Sequence, residues 1–219
     1  QGPSDITITF KNEDGTAVIG TKTYTVDGNG FELPNQTEFA GFQGTIFLWL
    51  EETDKTRCYE PKTNIKTIRD DITLIAFIGG WYTDLNKDTY YYDRDTGKTK
   101  GIKYICEEGT WPEDLYCFDE NGALLKNEDQ VFVYEQGDKY DGSGDGNIYF
   151  VNDGVVQNDK GLANHDIVAD GTVKTYYYYF GSSHYAYRNT TCYIDTNLNN
   201  LLPAGVYTFG NDGRVEVLE

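Results

Sequence analysis

The stretch Tyr90-Tyr91-Tyr92-Asp93-Arg94-Asp95-Thr96-Gly97 contains the pattern that decides the fold: an aromatic run, then Asp or Asn, then Gly. Aromatic residues favour strands, and Asn-Gly or Asp-Gly favours a tight two-residue turn with positive φ angles. The stretch therefore predicts a β-hairpin. The pattern returns at Tyr116–Gly122, Tyr149–Gly154 and Tyr207–Gly213. A looser copy at Tyr176–Gly181 keeps only the aromatic residues and the Gly. The glycines recur at intervals of about 25 to 32 residues, which indicates a repeat architecture.

The composition favours thin sheets of half-buried aromatic residues over one thick core. Hydrophobic residues make up 38% of the 219 residues, and the apolar area comes largely from 19 Tyr and 11 Phe. Tyr tolerates half-burial because one end of its side chain is polar. No segment shows a sustained helical period. We therefore predict an all-β, β-rich chain with little helix.

The formal net charge of −18 limits the classes of partner. Negative charge opposes binding to nucleic acid, anionic membranes and anionic polymers such as teichoic acids, because like charges would be brought together. It fits either a generic solubilising surface or attraction to a cationic patch on a protein partner. No apolar run is long enough for a transmembrane helix, so we predict no membrane insertion within this segment.

Three segments are expected along the chain. Residues 1–4 resemble the remnant of an engineered protease site and are excluded from the fold prediction. Residues 5–78 alternate strand-like runs with Gly-rich turns and form one unit. The sequence Ile78-Gly79-Gly80 marks a boundary, after which residues 79–219 carry the aromatic hairpins.

Residues 5–78 resemble the Listeria–Bacteroides repeat, also known as the internalin B-repeat type. The resemblance rests on a strand with Phe, a Gly turn, Leu-Pro, Phe-x-Trp, Tyr-x-Pro and a final Asp-x-Thr-Leu-x-Ala, at Phe10, Gly15, Leu33, Pro34, Phe47, Trp49, Tyr59, Pro61, Ile65, Asp71, Thr73, Leu74 and Ala76. It implies a small β-grasp-like fold used as a spacer or adhesive module of bacterial surface proteins. Leu50 replaces an aromatic residue and Lys62 replaces a Gly, which could alter a packing contact and a turn type.

Residues 80–219 resemble degenerate choline-binding or cell-wall-binding repeats of Gram-positive surface proteins. Trp81-Tyr82, Tyr90–Asp93 and Thr96-Gly97-Lys98 carry the resemblance, which weakens toward the C-terminus. In that family each hairpin stacks on the next to form a solenoid. The family also holds a quaternary ammonium group in a cage of Trp and Tyr rings.

Five aromatic residues are the candidate ligand-binding residues: Trp81, Tyr82, Tyr177, Tyr179 and Tyr185. Packing of hairpin on hairpin is the alternative role for the first two. Tyr177 and Tyr179 would share one face of a strand, because alternate residues of a strand point the same way. An exposed Tyr face would give a large contact area for a partner.

A Gly-rich segment could hold calcium. Asp141, Ser143 and Asp145 match the first oxygen ligands of a calcium loop, and Gly146 matches its glycine, although Asn152 stands where the bidentate Glu is expected. A solvent-exposed turn is the alternative. No other cofactor is expected.

The four cysteines form no zinc-binding pattern. Cys106 and Cys117 flank an excursion between two strand-like stretches and could form a disulfide, while Cys58 and Cys192 are expected to be free thiols. No catalytic motif surrounds His165 or His184, so we predict that the chain is not an enzyme.

These observations predict a binding module of an extracellular, secreted or cell-wall-attached protein. The leading interpretation is recognition of a host macromolecule, such as a secreted glycoprotein or an immunoglobulin. The alternatives are attachment to the bacterial cell wall or a glycan through the degenerate repeats, and a passive stalk. The partner would be a host protein or a glycan.

Overall fold

The structure is a computed structural model that describes residues 2–106, 114–126, 131–195 and 200–216. Within these ranges it is nearly all β, as predicted, with a short 3-10 turn at Gln36–Glu38. The strands are β1 Ser4–Lys11, β2 Val18–Val26, β3 Phe31–Glu32, β4 Leu48–Glu51, β5 Cys58–Tyr59, β6 Asn64–Ile65, β7 Ile72–Phe77, β8 Gly80–Thr83, β9 Thr89–Asp93, β10 Gly97–Lys98, β11 Gly101–Ile105, β12 Asp114–Phe118, β13 Val131–Tyr134, β14 Ile148–Asn152, β15 Val155–Val156, β16 Gly161–Ala169, β17 Thr172–Phe180, β18 Thr190–Ile194 and β19 Gly205–Phe209.

The chain forms two compact units, Gln1–Thr99 (unit 1) and Lys100–Glu219 (unit 2). The predicted boundary at residues 78 and 79 lies inside unit 1, between β7 and β8, so the first aromatic hairpin folds with the N-terminal sheet. The start of the aromatic repeats at residue 79 stays a prediction, because the two compact units are defined by contacts and not by sequence repeats. At the N-terminus, Ser4 pairs with Val26 and starts β1, one residue before the predicted unit.

The main sheet of unit 1 has the β-grasp strand order. β1 and β2 form an antiparallel hairpin, β1 and β7 are parallel, and β4 pairs antiparallel with β7 and β5. The resulting order is β2-β1-β7-β4-β5, with a parallel pair inside. This arrangement confirms the predicted β-grasp-like unit.

Trp49 is the centre of the unit 1 core. Its ring is fully buried against Phe10, with 4.7 Å between ring centres. Its indole N–H donates to the carbonyl of Pro34 at 2.7 Å, so the buried polar group is satisfied. Leu50, on the opposite face of β4, packs in a cluster with Tyr82. Leu50, which replaces the aromatic residue of the repeat family, therefore contacts the aromatic hairpin and is not part of the core around Trp49.

Lys62 occupies the conformation that Gly would adopt at this turn. Its φ is +61°, in the left-handed region that disfavours residues with a Cβ. Its ammonium lies 2.7 Å from Glu38 Oε2, and its N–H donates to the carbonyl of Leu33 at 3.0 Å. The substitution therefore keeps the turn conformation and adds an ion pair.

The predicted two-residue turn forms at Asn152–Val155, where Asp153 and Gly154 have φ of +50° and +82°. Asp170 and Gly171, with φ of +51° and +72°, form a second such turn between β16 and β17. In the copy Tyr116–Gly122 the prediction of a two-residue turn was wrong. The Gly122 N–H donates to the carbonyl of Asp119 at 3.0 Å, and within the Asp119–Ala123 turn only Gly122 has a positive φ. The Asp119 carboxylate accepts the Asn121 and Ala123 N–H groups, which stabilises this turn type.

The same backbone hydrogen bonds recur in unit 2 in the turns that begin at Asp119, Tyr134, Gly181 and Gly210. In the looser copy Gly181 is the first residue of the turn and is not the residue with the positive φ. The left-handed position, filled by Gly122, Gly137 and Gly213 in the other copies, is His184 with φ of +72°.

Residues that follow these turns join successive hairpins of unit 2. The Ala186 N–H donates to the carbonyl of Ile148 in β14 at 2.9 Å, and the Val215 N–H donates to that of Tyr177 in β17 at 2.9 Å. In these two cases the segment after a turn pairs with an earlier hairpin. This confirms the predicted series of aromatic hairpins.

The predicted disulfide between Cys106 and Cys117 is not formed. Cys117 lies opposite Ile102, four positions before Cys106 on the neighbouring strand, so the strand register separates the two thiols. Cys117 is fully buried, and burial raises the pKa of its thiol to about 12. Cys58 and Cys192 are half-buried free thiols.

Candidate functional site

Trp81 and Tyr82 do not form one aromatic cage. They are neighbours on β8, so their side chains point to opposite faces. Tyr82 is only 6% exposed, and its hydroxyl donates to the carbonyl of Thr56 at 2.8 Å. Burial raises its pKa above the usual range. Trp81 packs edge-on against Tyr91, with 5.2 Å between ring centres. A ligand-binding role for Trp81 stays a prediction.

In the first aromatic hairpin, the Lys98 side chain makes cation–π contacts with two Tyr rings. The ammonium of Lys98 lies 4.9 Å from the centre of the Tyr90 ring and 6.0 Å from that of Tyr92. Such contacts are favourable because the ring face carries partial negative charge. Sequence reasoning missed this pair. The register of β10 on β9, which sets Lys98 opposite Tyr92, was the signal that could have revealed it.

The Tyr-rich strand β17 is buried on both faces near its end. Tyr178 is 1% exposed and packs in one cluster with Phe180, while Tyr179, at 7%, packs in another with Tyr187. The exposed aromatic face expected at Tyr179 is therefore absent. The cover on each face comes from another hairpin, which the strand's own sequence does not encode, and a ligand-binding role for Tyr179 stays a prediction.

The other predicted Tyr residues lie in separate surroundings. Tyr177 is half-buried and pairs with Asn164 across the hairpin. Tyr185 is half-buried with its ring edge against Tyr149, 6.1 Å between ring centres. The structure does not bring Tyr177, Tyr179 and Tyr185 together on one exposed surface.

In the proposed calcium loop, Asp141 closes a turn. Its Oδ1 accepts the N–H of Ser143 at 2.9 Å and the Ser143 hydroxyl at 2.6 Å, and these bonds lower the pKa of the carboxyl. The side chain of Asp145 is exposed. Among the described residues, no group of three or more His, Cys, Asp or Glu side chains is placed to hold a metal ion. The calcium role of Asp141, Ser143 and Asp145 stays a prediction.

A guanidinium group binds the carbonyls of this loop. Arg188 donates from Nη1 to the carbonyl of Gly146 at 2.6 Å and from Nη2 to that of Gly144 at 2.8 Å. Nη2 also donates to Asn211 Oδ1 at 2.6 Å. The loop is therefore held against the last turn of unit 2 by a positive charge of the chain, a contact that local sequence pattern does not reveal.

A cleft of about 670 Å³ opens between this loop and the last turn. We call it the Tyr140–Asn211 cleft. Asn211 Nδ2 donates to the Tyr140 hydroxyl at 2.8 Å, and the same hydroxyl donates to the Asn211 carbonyl at 3.1 Å. The cleft is lined by Tyr140, Asp141, Gly142, Gly210, Asn211, Asp212, Arg214, Val215 and Glu216.

The side chains that line the Tyr140–Asn211 cleft are mostly polar or charged. Of the described residues that line it, none is His, Cys or Lys. The cleft offers an aromatic ring, three carboxylates and a guanidinium, while the Asn211 amide is hydrogen-bonded to Tyr140, Gly142, Arg188 and Asn189 and holds the lining in place. Planar polar groups beside an aromatic ring provide directional hydrogen bonds and a surface for ring stacking.

Comparison with known proteins gives limited similarity. The chain matches no family model and no curated protein. Among solved structures it is similar to CbpJ from Streptococcus pneumoniae TIGR4, with 19% identity over 98% of this chain and 70% of that chain and a TM-score of 0.27. Choline binding protein F from Streptococcus pneumoniae, solved with a peptidoglycan analogue, shows 16% identity over 99% and 71%, with a TM-score of 0.20.

The modular autolysin LytC from Streptococcus pneumoniae shows 18% identity over 64% of this chain, with a TM-score of 0.21. The chain spans only 33% of that protein. TM-scores in this range do not indicate a common overall fold, so these similarities place the chain in no family. In the part of the chain that the structure describes, no helix is long and apolar enough to cross a membrane.

Proposed function

We propose that this chain is a non-enzymatic module of an extracellular or cell-wall-associated protein and that it attaches to bacterial cell-wall glycan. The observation that carries the proposal is the Tyr140–Asn211 cleft. Its ring and its planar polar groups are the side-chain types that recognise sugar hydroxyls and the apolar faces of sugar rings. The cleft is open and its lining is fixed by hydrogen bonds within the protein, which reduces the entropic cost of binding.

The hairpin series supports a polymeric ligand. The same turn recurs four times in unit 2, and the strands between turns are joined by backbone hydrogen bonds. A polymer with repeated sugars can contact several such surfaces at once, which raises the overall affinity without any strong single site. The resemblances to cell-wall-binding repeats and to the Listeria–Bacteroides repeat agree with a place at a Gram-positive surface.

The net charge of the chain favours some classes of glycan ligand over others. At −18 the chain repels anionic wall polymers, so neutral or weakly charged polysaccharide is the favoured ligand. The same reasoning says that binding improves when anionic polymers are removed from the wall. Host-protein recognition has less support, because the Tyr179 ring that motivated it is buried.

Sedimentation with purified Gram-positive cell walls tests the proposal. We expect the protein to sediment with intact walls and more strongly with walls stripped of teichoic acids. Tyr140→Ala should weaken binding by about tenfold, because it removes the one aromatic ring among the described residues that line the cleft. Tyr104→Ala is the matched control, since Tyr104 is an exposed tyrosine of unit 2 outside the cleft.

Circular dichroism must show both variants folded. Failure to sediment with either wall preparation would overturn the proposal and favour a stalk. Equal loss in both tyrosine variants would remove the cleft from it. Release by millimolar choline would assign the binding to a quaternary ammonium group instead of a sugar.

A further inference from the structure

A polar groove of about 460 Å³ on unit 1 lies beside the sheet edge. It runs along β5, the segment 67–72 and the turn 84–86. β5 is the last strand of the five-stranded sheet, and no described strand pairs with its outer side. An uncovered edge strand can add a further strand through its backbone hydrogen-bonding groups.

The strand register shows which residue of β5 points its backbone N–H and carbonyl toward the groove. The Glu51 N–H donates to the carbonyl of Arg57 at 3.1 Å, so Arg57 is a residue that bonds inward to β4. In an antiparallel ladder the residues alternate between inward and outward bonding. The N–H and carbonyl of Cys58 therefore point outward, and Cys58 lines the groove.

The charges that line the groove favour a cationic ligand. Four carboxylates (Glu51, Asp70, Asp71, Asp84) outnumber two guanidiniums (Arg57, Arg69). Arg57 is already paired, with its Nε 3.5 Å from Asp54 and 3.8 Å from Glu51. A positive side chain that enters the groove therefore meets a net negative field.

Apolar groups also line the groove. Leu85, at the tip of the turn, is 57% exposed, and Tyr59 is half-buried with its hydroxyl held by Glu51 at 2.9 Å. The groove therefore presents carboxylates, at Asp70 and Asp84, and apolar groups, at Leu85 and Tyr59, to a segment that carries both cationic and apolar side chains.

We propose that this groove binds an extended, positively charged peptide segment of a protein partner, which adds as a strand to the outer edge of β5. The proposal is independent of the glycan function, because it concerns a different unit and a different class of ligand. Backbone hydrogen bonds at Cys58 would supply affinity, and the carboxylates would select for Lys or Arg.

A defined probe tests this directly: a fluorescent eight-residue peptide of alternating lysine and valine. We expect saturable binding by anisotropy, and slower hydrogen exchange at the Cys58 amide when the peptide is present. Asp70→Lys should weaken binding by at least about tenfold. Glu13→Lys, the same charge change at an exposed turn outside the groove, should weaken it much less.

Two further peptides separate strand addition from simple charge attraction. A peptide with the lysines replaced by glutamate should not bind. A lysine–valine peptide with every backbone nitrogen methylated keeps its charge but loses its donors on both edges, so it should bind at least about tenfold more weakly. Equal weakening by Asp70→Lys and Glu13→Lys, unchanged binding of the methylated peptide, or unchanged Cys58 exchange would each overturn the proposal.

Discussion

Arg188 Nη2 lies 2.8 Å from the carbonyl oxygen of Gly144. This contact joins two residues 44 positions apart and holds the Gly-rich loop with a positive charge. The sequence of the loop leaves open either a calcium site or a solvent-exposed turn, and in the structure the guanidinium of Arg188 binds the loop carbonyls.

Removal of this guanidinium should loosen the loop. Arg188→Ala deletes hydrogen bonds to Gly144, Gly146 and Asn211. Because the site is partly exposed and water can replace some of them, we expect a loss of about 1–2 kcal/mol in the free energy of unfolding. Urea denaturation measures the loss, and limited proteolysis should show new cleavage near Gly142. An unchanged unfolding midpoint would contradict a structural role for the contact.

Calcium should have little effect on the wild-type protein. The guanidinium of Arg188 already occupies the carbonyls of Gly144 and Gly146, and a second cation beside it would be repelled. We expect the same thermal midpoint with calcium and with chelator. Magnesium serves as the control for general ionic effects. A midpoint that rises with calcium alone would restore Asp141, Ser143 and Asp145 as ligands.

The two tyrosines that the sequence places on one face should behave differently. Tyr179 is buried beside Tyr187, so Tyr179→Ala leaves a cavity and should cost about 3 kcal/mol or more. Tyr177 is half-buried, so Tyr177→Ala should cost about 1 kcal/mol. Chemical denaturation of both variants provides the comparison. Equal losses in the free energy of unfolding would mean that Tyr177 and Tyr179 are buried to the same extent.

Local sequence predicted the local structure well. The alternation at Asp5–Phe10 and the aromatic runs lie in strands, and Gly122 and Gly154 have the positive φ that a hairpin turn requires. The resemblance in residues 5–78 gave the β-grasp-like unit. These features succeed because each depends on a residue and its immediate neighbours.

The candidate site was harder to predict because it depends on distant residues. Tyr179 is buried by Tyr187 and Phe209, and the Gly144 carbonyl is bound by Arg188. Which face of an aromatic strand is wet is decided by the hairpin that packs on it. The type of turn at Asp119 was also missed, because the Asp side chain that accepts turn N–H groups precedes the Asn-Gly pair.

Acid should destabilise the protein partly through His165. Its ring stacks on Phe150, 3.6 Å between centres, and packs near Tyr178 and Phe180, while Asp166 is the nearby charge. Burial lowers its pKa to about 4. The unfolded chain takes up a proton near the ordinary value of 6.5, so it binds more protons than the folded chain between these values. Stability should therefore fall as the pH falls from 6.5 to 4.

His165→Phe isolates this effect, because it keeps an aromatic ring and removes the titration. The drop in thermal midpoint between pH 7 and pH 4.5 should be smaller in the variant than in the wild type. Glu38, whose pKa is lowered to about 2 by Lys22 and Lys62, contributes a loss at lower pH and does not confuse the comparison. Parallel midpoint curves for the two proteins would show that His165 is not the group that titrates.

His184→Gly should stabilise the protein. His184 has φ of +72° at a turn position where the equivalent residues are Gly122, Gly137 and Gly213. A residue with a Cβ pays about 1 kcal/mol or more in this conformation, while Gly adds some entropy to the unfolded chain. We expect a net gain of about 0.5 kcal/mol by denaturant titration. Ser183→Gly, at the adjacent turn position without a positive φ, carries only the entropic cost and should destabilise. A loss in both variants would mean that contacts of the imidazole outweigh the backbone strain.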